Sequence, residues 1–95
     1  MAELKTIAVV CGAGVATSTL IADHIIKHCV KRGIRAAVIQ STVMDMLSPQ
    51  FHADAIVTTV PIPESIGIPV VSGMSILLGT DHSVTFDSLD AVLGY

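Results

Sequence analysis

Two kinds of apolar run alternate along the chain. Thr6-Ile7-Ala8-Val9-Val10 is apolar without a period, which is how a strand buried on both faces of a parallel sheet reads. Arg35-Ala36-Ala37-Val38-Ile39-Gln40 and Asp54-Ala55-Ile56-Val57-Thr58-Thr59 repeat that pattern. Ile68-Pro69-Val70-Val71 is a shorter fourth run, and its proline places it at a sheet edge. Between the first two runs the period becomes helical. Ile21, Ala22, Ile25, Ile26, Cys29 and Val30 form one stripe of a helix predicted from about Ser18 to Lys31. Asp23 and Lys27 pair across one turn on its outer face, and Gly33 ends it.

Weaker signals fill the rest. Ser41 or Thr42 caps a short helical segment that runs through Leu47 and stops before Pro49. Ser72-Gly73-Met74-Ser75 reads as a loop, and Asp87 reads as the cap of a last helix over Ser88 to Leu93, ended by Gly94. Strands alternating with helical segments imply βαβ units. The expected fold is therefore α/β, a three-layer Rossmann-like domain. Right-handed crossovers favour a four-stranded parallel sheet in the order 2-1-3-4.

Composition narrows the class. At 95 residues the chain is long enough for one domain, residues 1–95. It is 52% hydrophobic and 14% charged, which excludes a disordered chain. A net charge of −3, with five Lys and Arg, argues against a nucleic-acid partner. The uncharged stretches 6–22 and 65–80 contain Gly, Ser and Thr, and both fall short of the roughly 20 apolar residues that span a bilayer. Glu3 beside Lys5 makes a poor secretory signal, so no direct membrane insertion and a cytoplasmic location are expected. Cys11 and Cys29 then read as free thiols.

Chemistry concentrates where the first strand ends. Ligands of such sheets bind beyond the carboxyl ends of the strands, at the point where the strand order reverses. Cys11 stands there, followed by Gly12-Ala13-Gly14-Val15-Ala16-Thr17-Ser18. Two glycines allow a tight turn whose amides converge on one concavity, and a helix N-terminus adds its dipole. Thr17 and Ser18 add hydroxyl donors. The same field favours a thiolate. A lone Cys is more often a buried hydrophobe, but this placement marks Cys11 as a nucleophile that accepts a phosphoryl group. Thr58 and Thr59, at the exit of the neighbouring third strand, form a possible second shell.

Rival readings of the loop lack key residues. A dinucleotide fingerprint wants a third glycine where Thr17 stands and an acidic residue after the second strand, where Gln40-Ser41-Thr42 stands. A P-loop would need Gly-Lys-Ser/Thr. A thiol phosphatase or arsenate reductase-like enzyme of the Cys-x5-Arg type would carry Arg at Thr17 to clamp the phosphoryl group, and an Asp-Pro pair as general acid. A loop with nucleophile and amides, but without Arg or acid, holds a thiophosphate without hydrolysing it. The phosphatase, and a non-enzymatic anion-binding module with a passive Cys11, stay open as alternatives.

The stretch from Cys11 to Thr19 resembles the phosphocysteine loop of enzyme IIB of the bacterial sugar phosphotransferase system (PTS), in its galactitol-type branch. Ile68-Pro69-Val70-Val71-Ser72-Gly73-Met74 is similar to a later segment of that branch, and Thr58-Thr59 falls where it carries threonines. The resemblance implies that Cys11 takes a phosphoryl group from a phosphohistidine of enzyme IIA. It implies transfer onward to a sugar or polyol, galactitol or a relative, bound in the membrane subunit enzyme IIC. It implies no cofactor and docking at the inner face of the membrane. Asp81 and His82 depart from the branch pattern.

Other candidates carry blander readings. His24 and His28 are spaced like zinc ligands but lack a third partner, so a solvated helix face is expected and no metal. Cys29 is expected in the core. His52 and His82 read as surface residues, although the loop bearing His82 could approach the site. Met44, Met46 and Leu47 read as core, with a partner-docking surface as the alternative. Asp45 and Asp87 read as capping or surface carboxylates.

Overall fold

The computed structural model describes residues 4–11 and 15–94, without the side chains of Val15, Ala16 and Glu64. Four parallel strands, β1 (Lys5–Val10), β2 (Ala36–Ser41), β3 (Ala55–Thr58) and β4 (Val70–Ser72), form one sheet in the order β2-β1-β3-β4. The register sets Val10 level with Ser41 on one side and with Thr58 on the other. Thr58 is in turn level with Ser72. The four carboxyl ends therefore finish at one pole. This is the predicted α/β topology, and β4 is an edge strand as its proline required.

The strand residues divide between two cores by alternation. Ile7, Val9, Ala55 and Val57 face one side with Ile21, Ile25, Cys29, Ile76, Leu89 and Leu93. Ala8, Val10 and Ile56 face the other side with Met46 and Ala53. The first side carries α1 (Val15–Arg32), α3 (Met74–Leu78) and α4 (Ser83–Leu93). The second has only α2 (Val43–Met46) and a 3-10 turn at Glu64–Ile66. Its covering is completed by Ile66 of that turn and by Phe51, Val60, Ile62 and Ile68 from loops. The third layer is thus thinner than a Rossmann-like domain suggests. Right-handed crossovers explain the sidedness, since the chain moves one way from β1 to β2 and the other way from β2 through β3 to β4.

Several boundaries differ from the sequence reading. α1 begins at Val15, not near Ser18. Its buried stripe is Ile21, Ala22, Ile25 and Cys29, whereas Ile26 and Val30 are exposed; one residue of offset rotates a side chain by about 100°, enough to leave the seam. At its C-terminus the Gly33 N–H donates to the Val30 carbonyl and the Ile34 N–H to the Cys29 carbonyl, with Gly33 at φ +71°. That is a Schellman ending, and the left-handed backbone is why glycine stands there.

The segment expected as a loop after β4 is helix α3, with Gly73 at its N-cap position. The last helix starts at Ser83, so Asp87 lies exposed within α4 and caps nothing. Asp81 does that work, its Oδ1 accepting the Ser83 N–H at 3.0 Å. The bond, together with the Ser83 hydroxyl, holds the Asp81 carboxyl below its ordinary range. Thr42 caps α2 as expected. The Asp45 N–H donates to Thr42 Oγ1 at 3.0 Å and the Thr42 N–H donates to Asp45 Oδ2 at 3.1 Å, a capping box.

Candidate functional site

Cys11 follows β1 directly and is a partly exposed free thiol packed at the edge of the α1-side core. The helix begins four residues later at Val15. Gly12, Ala13 and Gly14, expected to turn the loop, lie outside the described residues. A helix's first turn presents amides with no acceptor inside the helix, so α1 turns the positive end of its dipole toward the end of β1. The early start of α1 moves Val15, Ala16, Thr17 and Ser18 into that first turn. Thr17 is half-buried and Ser18 is buried.

The neighbouring strands bring further polar groups to this pole. Thr59 donates its N–H to the Val10 carbonyl at 3.3 Å, which ties the exit of β3 to the exit of β1. Thr58 stands beside Val10 in register, but its hydroxyl serves its own turn. Thr58 Oγ1 donates to the Val60 carbonyl at 2.9 Å and accepts the Val60 N–H at 3.0 Å. Gly73 donates its N–H to the Thr58 carbonyl at 2.8 Å, which sets the start of α3 beside β3. A Cβ on Gly73 would lie 3.1 Å from Val57 Cγ1, tighter than ordinary contact, so the close approach of this turn to β3 favours a glycine, whereas Ile21 Cδ1 of α1 at 3.7 Å leaves normal room.

Sequence reasoning passed over Gln40. It is level with Val9 at the end of β2, and Thr19 Oγ1 donates to its Oε1 at 3.3 Å. This bond joins the second turn of α1 to β2. Its one signal in the sequence was a polar residue closing an apolar strand.

The histidines are placed differently from the expectation of a solvated helix face. His28 is stacked on Phe86, with ring centroids 4.2 Å apart, and its Nε2 is 2.8 Å from Asp90 Oδ1. His24 makes an edge contact with His82 at 5.0 Å. All four rings belong to the seam between α1 and α4. His24 is about 13 Å along α1 from Val15, so His82 stands beside the middle of α1 and not beside Cys11. Cys29 is buried as expected. Burial pushes its thiol above the ordinary value, and the Asp90 carboxylate adds to that.

The comparison with known proteins fits this arrangement. Residues 6–84 match the family model "PTS system, Lactose/Cellobiose specific IIB subunit". The chain belongs to the PTS enzyme IIB family. It is 30% identical over 90 residues to the Escherichia coli (strain K12) protein named "Putative phosphotransferase enzyme IIB component SgcB", covering 95% of this chain and 98% of that one. It is 36% identical over 76 residues to the galactitol-specific EIIB component of the same strain, covering 79% of this chain and 81% of that one. Enzyme IIB components are phosphotransferases, so this IIB chain is an enzyme of that class. Among its described residues no helix is long and apolar enough to cross a membrane.

Proposed function

We propose that residues 1–95 act as one phosphoryl-relay domain in which Cys11 is the residue that carries the phosphoryl group. The observation that supports this most is the placement of a partly exposed thiol between the end of β1 and the start of α1, at the pole where all four parallel strands end. In the charging step the Cys11 thiolate attacks the phosphorus of a phosphohistidine on enzyme IIA. An S–P bond forms, the N–P bond breaks, and the imidazole leaves with the electron pair and takes up a proton. In the discharging step a hydroxyl oxygen of a sugar or polyol held by enzyme IIC attacks the same phosphorus. The P–O bond forms, the thiolate leaves, and the hydroxyl proton passes to a base.

Main-chain amides from Gly12 to Ser18 and the hydroxyls of Thr17 and Ser18 are assigned to the phosphoryl oxygens. A preorganised set of such donors stabilises charge as it develops on the transferring group. With Thr17 where a thiol phosphatase has its Arg, water attack on the thiophosphate lacks a bidentate clamp, and the intermediate persists for delivery. Galactitol or a related polyol is the proposed class of acceptor, on the strength of the galactitol-specific relative. The domain works at the cytoplasmic face of the membrane, docked on enzyme IIC.

The test is intact-protein mass after incubation with phosphohistidine-charged enzyme IIA proteins from several sugar branches. One phosphoryl adduct is expected on wild type and on Cys29→Ala, and none on Cys11→Ala. An adduct that survives in Cys11→Ala would overturn the assignment. Turnover of an aryl phosphate by the purified protein would favour the phosphatase instead.

A further inference from the structure

The two edges of the sheet are finished differently. β4 is short and follows Pro69. Pro69 gives its carbonyl to the Ile56 N–H of β3, so the main-chain groups of Val70 and Ser72 face outward. The outward Ser72 carbonyl is already taken by Thr85 Oγ1 at 2.9 Å. Brevity, a proline and a covered carbonyl close that edge to another strand. β2 has none of these protections. It runs from Ala36 to Ser41 without a proline or a charge, and its outer side pairs with no strand of the described residues.

The ladder fixes which groups the open edge presents. Lys5 is level with Ala36 and donates its N–H to the Arg35 carbonyl. In a parallel pair this turns the main-chain groups of Arg35, Ala37 and Ile39 toward β1, and those of Ala36, Val38 and Gln40 outward. Apolar side chains flank that edge on both faces of the sheet. Ala36 and Val38 face α1. Ile39 is level with Ala8, on the other face, and is 39% exposed. Thr19 reaches Gln40, so its flank of α1 overhangs β2. Ile26 and Val30 continue that flank at helical spacing, 46% and 76% exposed. The opposite flank, with His24 and His28, is covered by α4.

We propose that this edge joins a second copy of the chain, the two β2 strands pairing antiparallel about a two-fold axis at Val38 to make one continuous sheet. A two-fold contact needs a patch that complements itself, and the outward groups are symmetric about Val38. The axis sets Val38 against Val38 and Ala36 against Gln40 of the second copy, each pair exchanging N–H and C=O. In the intervening pairs the small Ala37 meets the large Ile39. Charge is complementary as well. Arg35 shares the face of Ile39 by alternation. Antiparallel pairing carries it to the far end of the other β2, where α2 holds Asp45 on that same face. The two Cys11 poles then point in opposite directions and both stay open, so the pairing is independent of the relay reading.

The experiment is sedimentation equilibrium of the full chain over a range of protein concentration. Wild type should pass from 9.9 kDa to twice that mass, and be mostly dimeric by about 100 µM, since such a dimer is set by protomer concentration. Val38→Pro removes the donor at the axis, and Ile39→Lys places a charge on the edge. Each should weaken the dimer about tenfold or more, whereas Val70→Lys on the β4 edge should stay within about twofold. Ile39→Lys changes an exposed side chain, so it keeps the test open if Val38→Pro fails to fold, which urea midpoints would show. The register is tested by oxidation in a Cys11→Ala background. Val38→Cys should cross-link, because facing residues of such a pair are about 5.5 Å apart and disulfides span about 4.4–6.8 Å. Ala36→Cys should not, because its two copies would lie about 14 Å apart. A wild type that stays monomeric at every concentration overturns the proposal. So does a dimer that survives Ile39→Lys unchanged, or cross-linking at Ala36→Cys in place of Val38→Cys.

Discussion

His28 Nε2 lies 2.8 Å from Asp90 Oδ1, and the two residues are 62 positions apart in the chain. Both side chains are nearly closed to solvent, at 13% and 8%. Arg32 approaches the other carboxylate oxygen at 3.6 Å. Three residues at successive turns of α1, His24, His28 and Arg32, thus face His82, Phe86 and Asp90 at successive turns of α4. This seam fastens the C-terminal helix to the first one.

Breaking such a pair from one side leaves a buried charge with a poor partner. His28→Ala should destabilise the fold by about 3 kcal/mol, whereas the double change His28→Leu/Asp90→Leu should recover most of that loss. By contrast Lys27→Ala, which breaks the exposed pair with Asp23, should cost no more than about 0.5 kcal/mol. Urea unfolding of the four proteins checks this. A His28→Ala loss no larger than that of Lys27→Ala would contradict the seam.

Cys29 gives the fold an alkaline limit. Its thiol is pushed above its ordinary value of 9.0 by burial and then by Asp90. The folded state therefore keeps a proton that the unfolded chain releases near that value. The contribution is fully present below about pH 9 and is lost as pH rises through the raised folded value. The stability difference between wild type and Cys29→Ala should be constant up to about pH 8 and shrink above about pH 9. A difference that stays flat through the alkaline range would remove burial as the cause. Thiol reagents at neutral pH should modify Cys11, partly exposed, well before Cys29.

At Gly73 the constraint is space and not backbone conformation, since its φ of −94° is open to any residue. Gly73→Ala would press a methyl group against Val57 Cγ1 at 3.1 Å. A loss of about 1 kcal/mol is expected, and about 3 kcal/mol for Gly73→Val, where the added atoms drive the start of α3 from β3. Gly67→Ala is a useful contrast, because there the cost would come from φ +70° with nothing near the new Cβ. Urea midpoints would rank them, and a neutral Gly73→Val would show that the turn yields.

Thr85 is a buried hydroxyl with two tasks. It donates to the Ser72 carbonyl at 2.9 Å and is bonded to the Ser75 hydroxyl, so it joins α4 to the end of β4 and to α3. Thr85→Val keeps the shape but leaves Ser72 without that donor. We expect a cost of about 2 kcal/mol, against less than about 0.5 kcal/mol for Thr80→Val on the exposed surface. Hydrogen exchange of the α3 and α4 amides would show whether the loss is local to that corner.

The sheet could be read from the chain because its two central strands, β1 and β3, are buried on both faces. Continuous apolar runs such as 6–10 can satisfy their burial only in the middle of a layered fold, and right-handed crossovers then leave few orders to choose from. The position of Cys11 at the exit of β1 was legible for a similar reason, since it directly follows the first run. Local hydrogen-bond chemistry was legible where donor and acceptor are close in sequence, as with Thr42 and Asp45 or at Gly33.

Properties that depend on distant partners were not legible. Nothing beside His28 announces Asp90, so the histidines read as a solvated face until α4 was seen to cover them. The start of α4 was misplaced because Asp81 and Asp87 offer the same capping chemistry, and only packing of Thr85 and Phe86 against the core chooses between them. Met44, Met46 and Leu47 look alike in sequence, yet Met46 alone fills the second core while the others stand at the Cys11 pole. The sequence by itself determined the strands, their order and the thiol at the first strand's end, because periodicity and turn chemistry are local. The tertiary structure alone decided which faces are covered, because burial is settled by whatever the rest of the chain brings against them.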